Sequence, residues 1–499
     1  MFEAISLRGQ RHAENARLAT VSLASKLALM THRAQTALLV AVAGLVLALV
    51  PLSAVADSAR ARATTPALAW SPATLVFSGH GWGHGVGLSQ YGAYGYALHG
   101  YSYDQMIAHY YPGTEMESGA AKTIRVLLAG GVSSLKISSA STFSVTDSNG
   151  DSYDLPELSL KLTPSLKVDL GDGNGATALS GPLRFKAGAS PLVYAGHKYR
   201  GELRVLVAAS KLRLVNAVSL ERYLYGVVPC ESPHDWPAEA LKAQAVVART
   251  YALGSVNSGS YFDVYPDTRS QVYLGISGEY PESTAAVKAT AGEVVYYDGK
   301  IARTFFFSTS GGRTSSIHDA WPKAKPVPYL VSVKDPYDDV SPYHSWGPVT
   351  FSSQQLANRL HVKGPISDLT TKRNGSKRVA KVAISGAGGK VWPSSGDGVK
   401  LALGLRSSWF TATVLALQYP RKAVAAGSKL RILARVRNAK SPALETRSSD
   451  GTWQKLRSVK PNSSGLVKLN LRPSATAFYR LVAEGVVGVP VRIKVKSAG

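Results

Sequence analysis

Residues 218–252 read VSLERYLYGVVPCESPHDWPAEALKAQAVVARTYA, and this stretch carries the clearest structural signals in the chain. The apolar run through Leu224 predicts a strand, and Pro229 and Pro237 bound a tight turn. Pro237 suits the first position of a helix, Ala and Leu fill its interior, and Gly254 suits its end. Because apolar residues cover most of this helix, we expect it to be buried at the centre of a domain.

Glu231 is the carboxylate of that turn and the first candidate for a catalytic residue. Apolar neighbours raise the pKa of a carboxyl, and a raised pKa suits a general acid. The alternative is a loop carboxylate that caps the following helix or pairs with Arg249. Glu221 and Glu239 are assigned structural roles, because Glu221 falls in the predicted strand and Glu239 in the first turn of the helix, where negative charge is favourable.

The stretch resembles the SpoIID (stage II sporulation protein D, or SpoIID/LytB) domain family. That family shows a Leu-Glu-x-Tyr-Leu run, a VVPxE turn and a WPxEALKAQAVAARTYA helix, which this chain matches at 220–224, 227–231 and 236–252. Long matches carry less false-positive risk than one short pattern. Other segments similar to family motifs are DTRSQVY at 267–273, TSGGRT at 309–314, LVSVKDP at 330–336 and GHGVGLSQYGA at 83–93.

The GHGVGLSQYGA motif departs from the family in its position. Here it precedes Glu231, whereas in the sporulation proteins it usually closes the domain. It either packs against the Glu231 cleft, which makes the domain a permuted one, or lies on another surface, which leaves a wall of the cleft missing. Permutation is tolerated where chain termini lie close together, so we expect the first arrangement.

The resemblance implies a peptidoglycan lytic transglycosylase that cleaves glycan strands between N-acetylmuramic acid and N-acetylglucosamine and prefers strands without stem peptides. Such an enzyme needs one carboxyl, here Glu231, which acts as acid and then as base and leaves a 1,6-anhydro sugar. The first rival is a non-catalytic protein that binds peptidoglycan or modifies a cell-wall amidase. The second is a membrane-tethered scaffold.

Eight further residues are candidates for substrate binding. Some follow or interrupt glycine-rich stretches, which let backbone approach a ligand closely; others project from the central helix. The alternative for each is a buried turn or core hydrogen bond. The eight are His84, Ser89, Gln90, Gln244, Arg249, Tyr251, Ser310 and Gly311.

Neither a cofactor nor a metal is predicted. His80 and His84 suggest a zinc site only weakly, because no third ligand is visible near them. The single cysteine, Cys230, permits no internal disulfide. Pairing of Cys230 with His234 as a nucleophile is a weak interpretation, because sequence proximity does not supply the geometry; we expect Cys230 to pack as a small hydrophobe.

Residues 1–56 have the pattern of a secretory signal. The apolar segment 37–50 follows Arg33 and ends before Pro51, and Ala54-Val55-Ala56 provides a cleavage site. The long stretch before Met30 suggests that Met30 is the true start. The alternative is an uncleaved membrane anchor at 37–56. In both cases we expect the protein outside the cytoplasm, secreted or associated with the cell wall.

The rest of the chain predicts an α+β, β-rich fold. Residues 57–71 are assigned to a linker and 72–415 to the SpoIID/LytB-like domain, which divides into the motif segment 72–118, a β-rich part 123–218 and the Glu231 core 219–415. Residues 416–499 alternate in the manner of short strands and predict a small all-β, Ig-like module without catalytic residues.

The chain carries 57 Lys and Arg against 32 Asp and Glu, a net charge of +25. Such a charge attracts polyanions. No nucleic-acid-binding motif appears and we interpret the basic residues as dispersed, so nucleic acid is not an expected partner. The expected partners are peptidoglycan strands, anionic wall polymers and a cell-wall amidase.

Overall fold

The computed structural model describes residues 66–496, apart from 158, 387, 449 and 450, and these residues belong to one compact unit. The predicted signal and anchor within residues 1–56, and residues 57–65 of the predicted linker, lie outside the described residues. Within the described part of the chain, no helix is long and apolar enough to cross a bilayer.

The central helix, Ala238–Gly254, is buried as predicted and separates two hydrophobic cores. Leu241, Ala245 and Ala248 face a core that is shared with the β-rich part, whereas Val246 and Val247 face a core that includes the GHGVG segment. Small Ala side chains on both sides let neighbouring elements approach the helix closely, and helix propensity is high along its length. A residue on this helix can therefore contact groups from both halves of the fold.

The β-rich part lies on one side of the helix. Its six-stranded antiparallel sheet has the order Thr123–Val132, Lys211–Ser219, Glu202–Ala208, Leu183–Lys186, Phe143–Thr146 and Ser152–Leu155. Two smaller sheets accompany it. They consist of His197–Tyr199, Leu192–Tyr194, Leu135–Ser138 and Ser159–Leu162, and of Lys167–Asp169 with Ala176–Ala178.

The core on the other side of the central helix is formed by shorter elements, among them the helices Gln90–Leu98, Tyr103–Tyr110 and Ile317–Ala320. The strand Glu293–Tyr297 pairs with Glu115–Ser118 and with Lys300–Ile301, and the second pairing forms a hairpin around Asp298-Gly299. Leu88–Ser89 pairs in parallel with Phe306–Phe307. The helices besides the central one are Gln90–Leu98, Tyr103–Tyr110, Leu220–Tyr225, Val228–Glu231, Pro281–Ala289, Ile317–Ala320, Ser353–Arg359 and Gly396–Leu403, with 3₁₀ turns at Gly275–Gly278 and Asp338–Val340.

A second six-stranded sheet, which we call the linking sheet, joins the two ends of the described chain. Thr74–His80 lies between Ser345–Ser352 and Phe410–Pro420 and pairs with both. Leu68–Trp70, from the segment predicted as a linker, pairs with the outer part of Phe410–Pro420. The order continues through Leu430–Arg437 to Leu466–Leu471, and a three-stranded sheet of Ile366–Arg373, Val379–Gly386 and Val391–Ser395 packs nearby.

The last sheet, which we call the C-terminal sheet, packs on the linking sheet across a shared core. The boundary predicted at residue 416 falls inside the strand Phe410–Pro420, and Val76 from the N-terminal side contributes to the same core. An Ig-like form of residues 416–499 is therefore not confirmed, because these residues complete sheets begun elsewhere. The strands of the C-terminal sheet are Gln454–Ser458, Ala443–Arg447, Ala477–Ala483, Val486–Val487 and Val491–Ile493.

The predicted α+β, β-rich class agrees with this mixture of elements, but one local prediction was wrong. Residues Leu220–Tyr225 form a helix and not a strand. The strand before it ends at Ser219, which occupies the N-cap position of the helix with extended backbone angles. A short run rich in Leu and Tyr does not distinguish a strand from a short buried helix, which explains the error.

Candidate active site

Glu231 is the last residue of the short helix Val228–Glu231, which Pro229 starts and the extended backbone of Ser232 ends. One carboxyl oxygen, Oε1, accepts a hydrogen bond of 2.8 Å from the backbone N–H of Val272. Val272 belongs to the 267–273 segment that resembles the family motif. This bond therefore joins two segments that lie some forty residues apart in the sequence.

Burial raises the pKa of Glu231 to about 7, against the opposing effects of hydrogen bonds from the Val272 amide and the Gln90 side chain. Although protein atoms crowd the carboxyl, part of the residue remains in contact with solvent. Among the described residues, no Asp or Glu contributes to this shift. A carboxyl with a pKa near 7 is populated in both its protonated and its ionised form at neutral pH. Such a group can donate a proton and then accept one.

Gln90 brings the GHGVGLSQYGA motif to Glu231. It begins the helix Gln90–Leu98, which Ser89 caps by accepting a 3.2 Å hydrogen bond from the backbone N–H of Gly92. The Gln90 side chain hydrogen-bonds to Glu231, and its Nε2 lies 3.4 Å from Oε1 of Gln244 on the central helix. Of the two arrangements left open by the motif's position in the sequence, the structure has the one in which the motif packs against Glu231.

The glycines of the motif allow this close approach. Gly87 has a φ of +76°, and a Cβ placed there would lie 2.0 Å from the carbonyl oxygen of Phe305. A Cβ on Gly85 would meet the guanidinium of Arg378, which is itself buried and donates to the carbonyl oxygens of Arg313, Thr314 and Ser376. Side chains at these two positions would push the motif away from the segments that hold it.

His84 lies in an aromatic surrounding, away from the hydrogen bonds of Glu231. Its Nδ1 accepts a 3.0 Å hydrogen bond from the backbone N–H of Val86, and its ring packs 5.1 Å from that of Trp321. Burial lowers the pKa of His84 to about 3, so the imidazole is neutral. His80 belongs to a different network through Ser345. In the described part of the chain, no group of three or more His, Cys, Asp or Glu could hold a metal.

Ser310 and Gly311, two of the candidates for substrate binding, are buried in a polar network behind the motif. The N–H of Ser310 donates to Ser89 Oγ at 3.2 Å, and that of Gly311 donates to Asp338 Oδ2 at 2.6 Å. Asp335, also fully buried, accepts a 2.8 Å hydrogen bond from Tyr110. Burial and the nearby charge of Asp338 raise the pKa of Asp335 to about 7. Ser89, Ser310 and Gly311 thus fix the motif in place.

Gln244 and Tyr251 both face the Glu231 region from the central helix. Gln244 is buried, and its Oε1 lies 3.4 Å from Ser232 Oγ as well as from Gln90. Tyr251 is partly exposed, hydrogen-bonds to Ser270, and has a pKa raised by burial and by the charge of Glu231. Gln244 orients the residues around Glu231, while Tyr251 remains accessible to a ligand.

Arg249 lies on the same helix but does not reach the cleft, so its assignment to substrate binding was wrong. Its side chain is fully buried and forms two hydrogen bonds of 2.8 Å with Glu221, not with Glu231. The guanidinium also donates to the carbonyl oxygens of Val287 and Glu293. Arg249 therefore ties the central helix to three other elements, and its donors are occupied.

Aromatic side chains line the side of the site formed by the motif. Trp236 stacks on Tyr94 with ring centroids 4.8 Å apart and contacts Tyr91 edge-on at 4.9 Å. All three residues are partly exposed. Half-exposed rings of this kind offer apolar surface to the faces of sugar rings while they pack on one another.

Cys230 and His234 do not form a nucleophile pair. Cys230 Sγ donates to the carbonyl oxygen of Gly226 at 3.2 Å, and burial raises the pKa of the thiol to about 12. The His234 ring stacks on Tyr280 at 3.8 Å. A thiol with so high a pKa is a poor nucleophile, because the thiolate is the reactive form.

Sequence reasoning missed the donor on Val272 and the buried carboxylates Asp335 and Asp338. A backbone N–H leaves no residue-type signal in a sequence, although the family-like segment around it, 267–273, was noted. Asp335 lies in the family-like segment 330–336. Nothing in the sequence around it, including Pro336, indicates that its carboxyl is buried.

These features define a class of site: an isolated carboxyl with a pKa near neutrality, held by amides beside aromatic rings, as in enzymes that use general acid–base catalysis. Residues 208–297 match the SpoIID family model, described as stage II sporulation protein. This match contains Glu231 and most of the elements that hold it.

Three curated relatives extend the match. The chain is 34% identical over 217 residues to stage II sporulation protein D of Bacillus amyloliquefaciens, covering 39% of this chain and 60% of that protein. It is 32% identical over 213 residues to stage II sporulation protein D of Bacillus subtilis (strain 168), covering 39% and 61%. It is 39% identical over 134 residues to the amidase enhancer of the same strain, covering 27% and 17%.

The chain thus contains a segment, residues 208–297, that matches the SpoIID family. It spans about 60% of the length of the two sporulation proteins and 17% of the amidase enhancer. The resemblance predicted from the sequence motifs is confirmed for this segment.

Proposed function

We propose that this protein is a lytic transglycosylase of peptidoglycan glycan strands, with Glu231 as its single general acid and base. The observation that carries the proposal is the partly exposed Glu231 carboxyl with a pKa raised to about 7 and no acidic residue contributing to that shift in the described part of the chain. Membership of a cell-wall-related family supports the substrate class.

The reaction would use Glu231 twice. The protonated carboxyl gives its proton to the glycosidic oxygen as the bond from that oxygen to C1 of the muramoyl residue breaks. The resulting carboxylate removes the proton of the C6 hydroxyl, whose oxygen attacks C1 and closes the 1,6-anhydro ring. Glu231 ends protonated and no water is consumed. Hydrolysis by inversion or retention uses a second carboxyl at about 5–9.5 Å. Among the described residues, no carboxyl contributes to the pKa shift of Glu231, which favours the single-carboxyl chemistry.

The residues around Glu231 would stabilise its carboxylate or contact the sugar rings. Gln90 and the Val272 amide stabilise the carboxylate after the first proton transfer, since both hydrogen bonds favour the charged form. Tyr91, Tyr94 and Trp236 provide apolar surface for the sugar rings, and Tyr251 offers a hydroxyl at the edge of the site. The proposal includes the location of the protein, which we place outside the cytoplasm, secreted or associated with the cell wall.

The decisive experiment is digestion of purified glycan strands, with and without stem peptides, followed by mass spectrometry of the products. Muramoyl ends with the 1,6-anhydro mass are expected from the wild type. Glu231→Gln should produce none, while Glu282→Gln, an exposed carboxylate on a neighbouring helix, should leave the products unchanged. Products that have gained water would contradict the transglycosylase and indicate a hydrolase.

The match to an amidase enhancer favours one second candidate, a non-catalytic modifier of a cell-wall amidase. In that case the strands would remain intact with every variant, and the protein would instead increase the rate of stem-peptide release by an added amidase. Glu231→Gln would then retain the stimulation.

The activity should depend on pH through Glu231. Because the free enzyme must carry the proton, we expect kcat/KM to be constant below about pH 6 and to fall as pH rises through about 7. Gln90→Leu removes a hydrogen bond that favours the charged form, so it should move this decline to higher pH. Gln354→Leu, on an exposed helix, serves as the control. A decline at the same pH in the Gln90 variant would show that Gln90 does not act on Glu231.

A further inference from the structure

Positive charge is concentrated in the last part of the chain, contrary to the prediction that it is dispersed. Residues 416–499 hold 17 Lys and Arg against 3 Asp and Glu, a net +14 of the total +25 in 84 residues. A field of this strength attracts polyanions and raises their rate of association. The C-terminal sheet contains many of these residues.

The outer side of the C-terminal sheet carries two rows of side chains. Leu444, Tyr479 and Leu481 point into the core shared with the linking sheet. Their strand neighbours point the other way, because side chains alternate along a strand and cross-strand partners share a side. The first row is Lys455, Glu445 and Arg480, and the second is Arg447, Phe478 and Arg492, as given by the strand registers. We call the Lys, Arg and aromatic residues of these rows, together with Trp453, the basic face.

Arginine and aromatic side chains stack alternately on the basic face. The Trp453 ring lies 4.1 Å from the guanidinium carbon of Arg480 and 4.8 Å from that of Arg447. The Phe478 ring lies 5.4 Å from the guanidinium carbon of Arg447 and 6.0 Å from that of Arg492. Such stacking holds a guanidinium in a fixed orientation while its N–H edges stay available for anions.

Several of these cations have no anionic partner within the described part of the protein. Arg480 pairs with Glu445 at 2.7 Å. Among the described residues, no carboxylate forms an ion pair with Arg447, Lys455 or Arg492. Lys455 and Arg492 are exposed as well. The rows thus offer oriented donors and uncompensated charge at one surface.

We propose that the basic face binds a linear cell-wall polymer that carries phosphodiester groups. Arginine binds phosphate oxygens through two parallel N–H bonds, which suits regularly spaced phosphates. Single-stranded nucleic acid fits less well, because it requires free aromatic faces for base stacking, and two guanidinium groups already lie over the Trp453 ring. Rows of cations match a chain of repeating charges better than the plane of a bilayer. The choice of the wall as the source rests on the proposed function, whereas phosphodiester binding does not.

Binding of the full chain to fluorescently labelled poly(glycerol phosphate), measured by anisotropy at several salt concentrations, tests this proposal. Arg447→Gln/Lys455→Gln/Arg492→Gln should weaken binding about tenfold or more at about 50 mM salt and reduce the slope of log K against log salt by about two. The matched control Lys136→Gln/Lys161→Gln/Lys167→Gln removes the same charge from exposed strand positions of the β-rich part. It should change the affinity by less than about threefold.

Two further measurements separate loss of binding from misfolding and from the proposed catalysis. Lys455→Gln/Arg492→Gln changes only exposed side chains, so it should fold normally and still weaken binding more than Lys136→Gln/Lys161→Gln does. Glu231→Gln should bind the polymer as the wild type does, which separates this proposal from the proposed catalysis. Equal losses in the basic-face and control variants would overturn the proposal, as would tighter binding to single-stranded DNA of equal charge or to anionic phosphatidylglycerol vesicles.

Discussion

Glu231→Gln is expected to reduce formation of 1,6-anhydro ends at least about 10³-fold, because one carboxyl performs both proton transfers. The substitution keeps the size of the side chain and its contact with Val272, so the loss would be chemical and not structural. The measurement is the initial rate on bare glycan strands, compared with Glu282→Gln at the same protein concentration. A variant that retains a tenth of the wild-type rate would exclude Glu231 as the proton donor.

The same variant should be more stable than the wild type in alkaline solution. The pKa of Glu231 rises from about 4.5 in the unfolded chain to about 7 in the folded one. The contribution of Glu231 to wild-type stability is therefore fully present below pH 4.5 and is lost as pH rises through 7, whereas the glutamine of the variant is neutral throughout. We expect a difference of about 2 kcal/mol at about pH 8.5, reduced from the full linkage value because the residue is partly solvated. Equal urea midpoints at that pH would show that the carboxyl is not destabilised by burial.

Arg249→Met is expected to have the second largest effect, a decrease of about 3–5 kcal/mol in the free energy of unfolding. The substitution leaves Glu221 without its partner and removes a donor from the carbonyl oxygens of Val287 and Glu293. The urea midpoint should fall markedly, and glycan cleavage should fall in proportion to the unfolded fraction.

Arg222→Met provides the control for Arg249→Met. Arg222 lies on the neighbouring helix Leu220–Tyr225 and is exposed, so its loss should change the stability by less than about 0.5 kcal/mol. If Arg249→Met folded as stably as the wild type and had a raised KM instead, the original assignment of Arg249 to substrate binding would be restored.

The sequence was sufficient to predict the central helix and the candidate carboxyl. The central helix contains Ala and Leu over several turns, and these residues have high helix propensity. Glu231 is recognisable because prolines and apolar residues flank it. The helix Leu220–Tyr225 was mistaken for a strand because its short run of Leu and Tyr residues fits either period. The partner of Arg249 could not be predicted either, because the sequence around Arg249 does not indicate whether Glu221 or Glu231 is closer in space.

Long-range pairing was the least predictable part. Nothing in Thr74–His80 indicates that its partners lie some 270 and 340 residues later, since strand pairing depends on topology and not on local pattern. The basic face was missed for the same reason. Its cations are separated by other residues in the sequence and come together only when the strands align in register.

The linking sheet affects the order in which contacts form as this protein folds. Thr74–His80 leads directly into the GHGVGLSQYGA motif, yet its two sheet neighbours, Ser345–Ser352 and Phe410–Pro420, are synthesised much later. Contacts between residues so distant in sequence form late and slowly. A nascent chain that has not reached Phe410 lacks one of the two neighbours of this strand, so we expect the contact between Gln90 and Glu231 to form late. If the proposed function is right, that contact would be completed only after most of the chain has been synthesised.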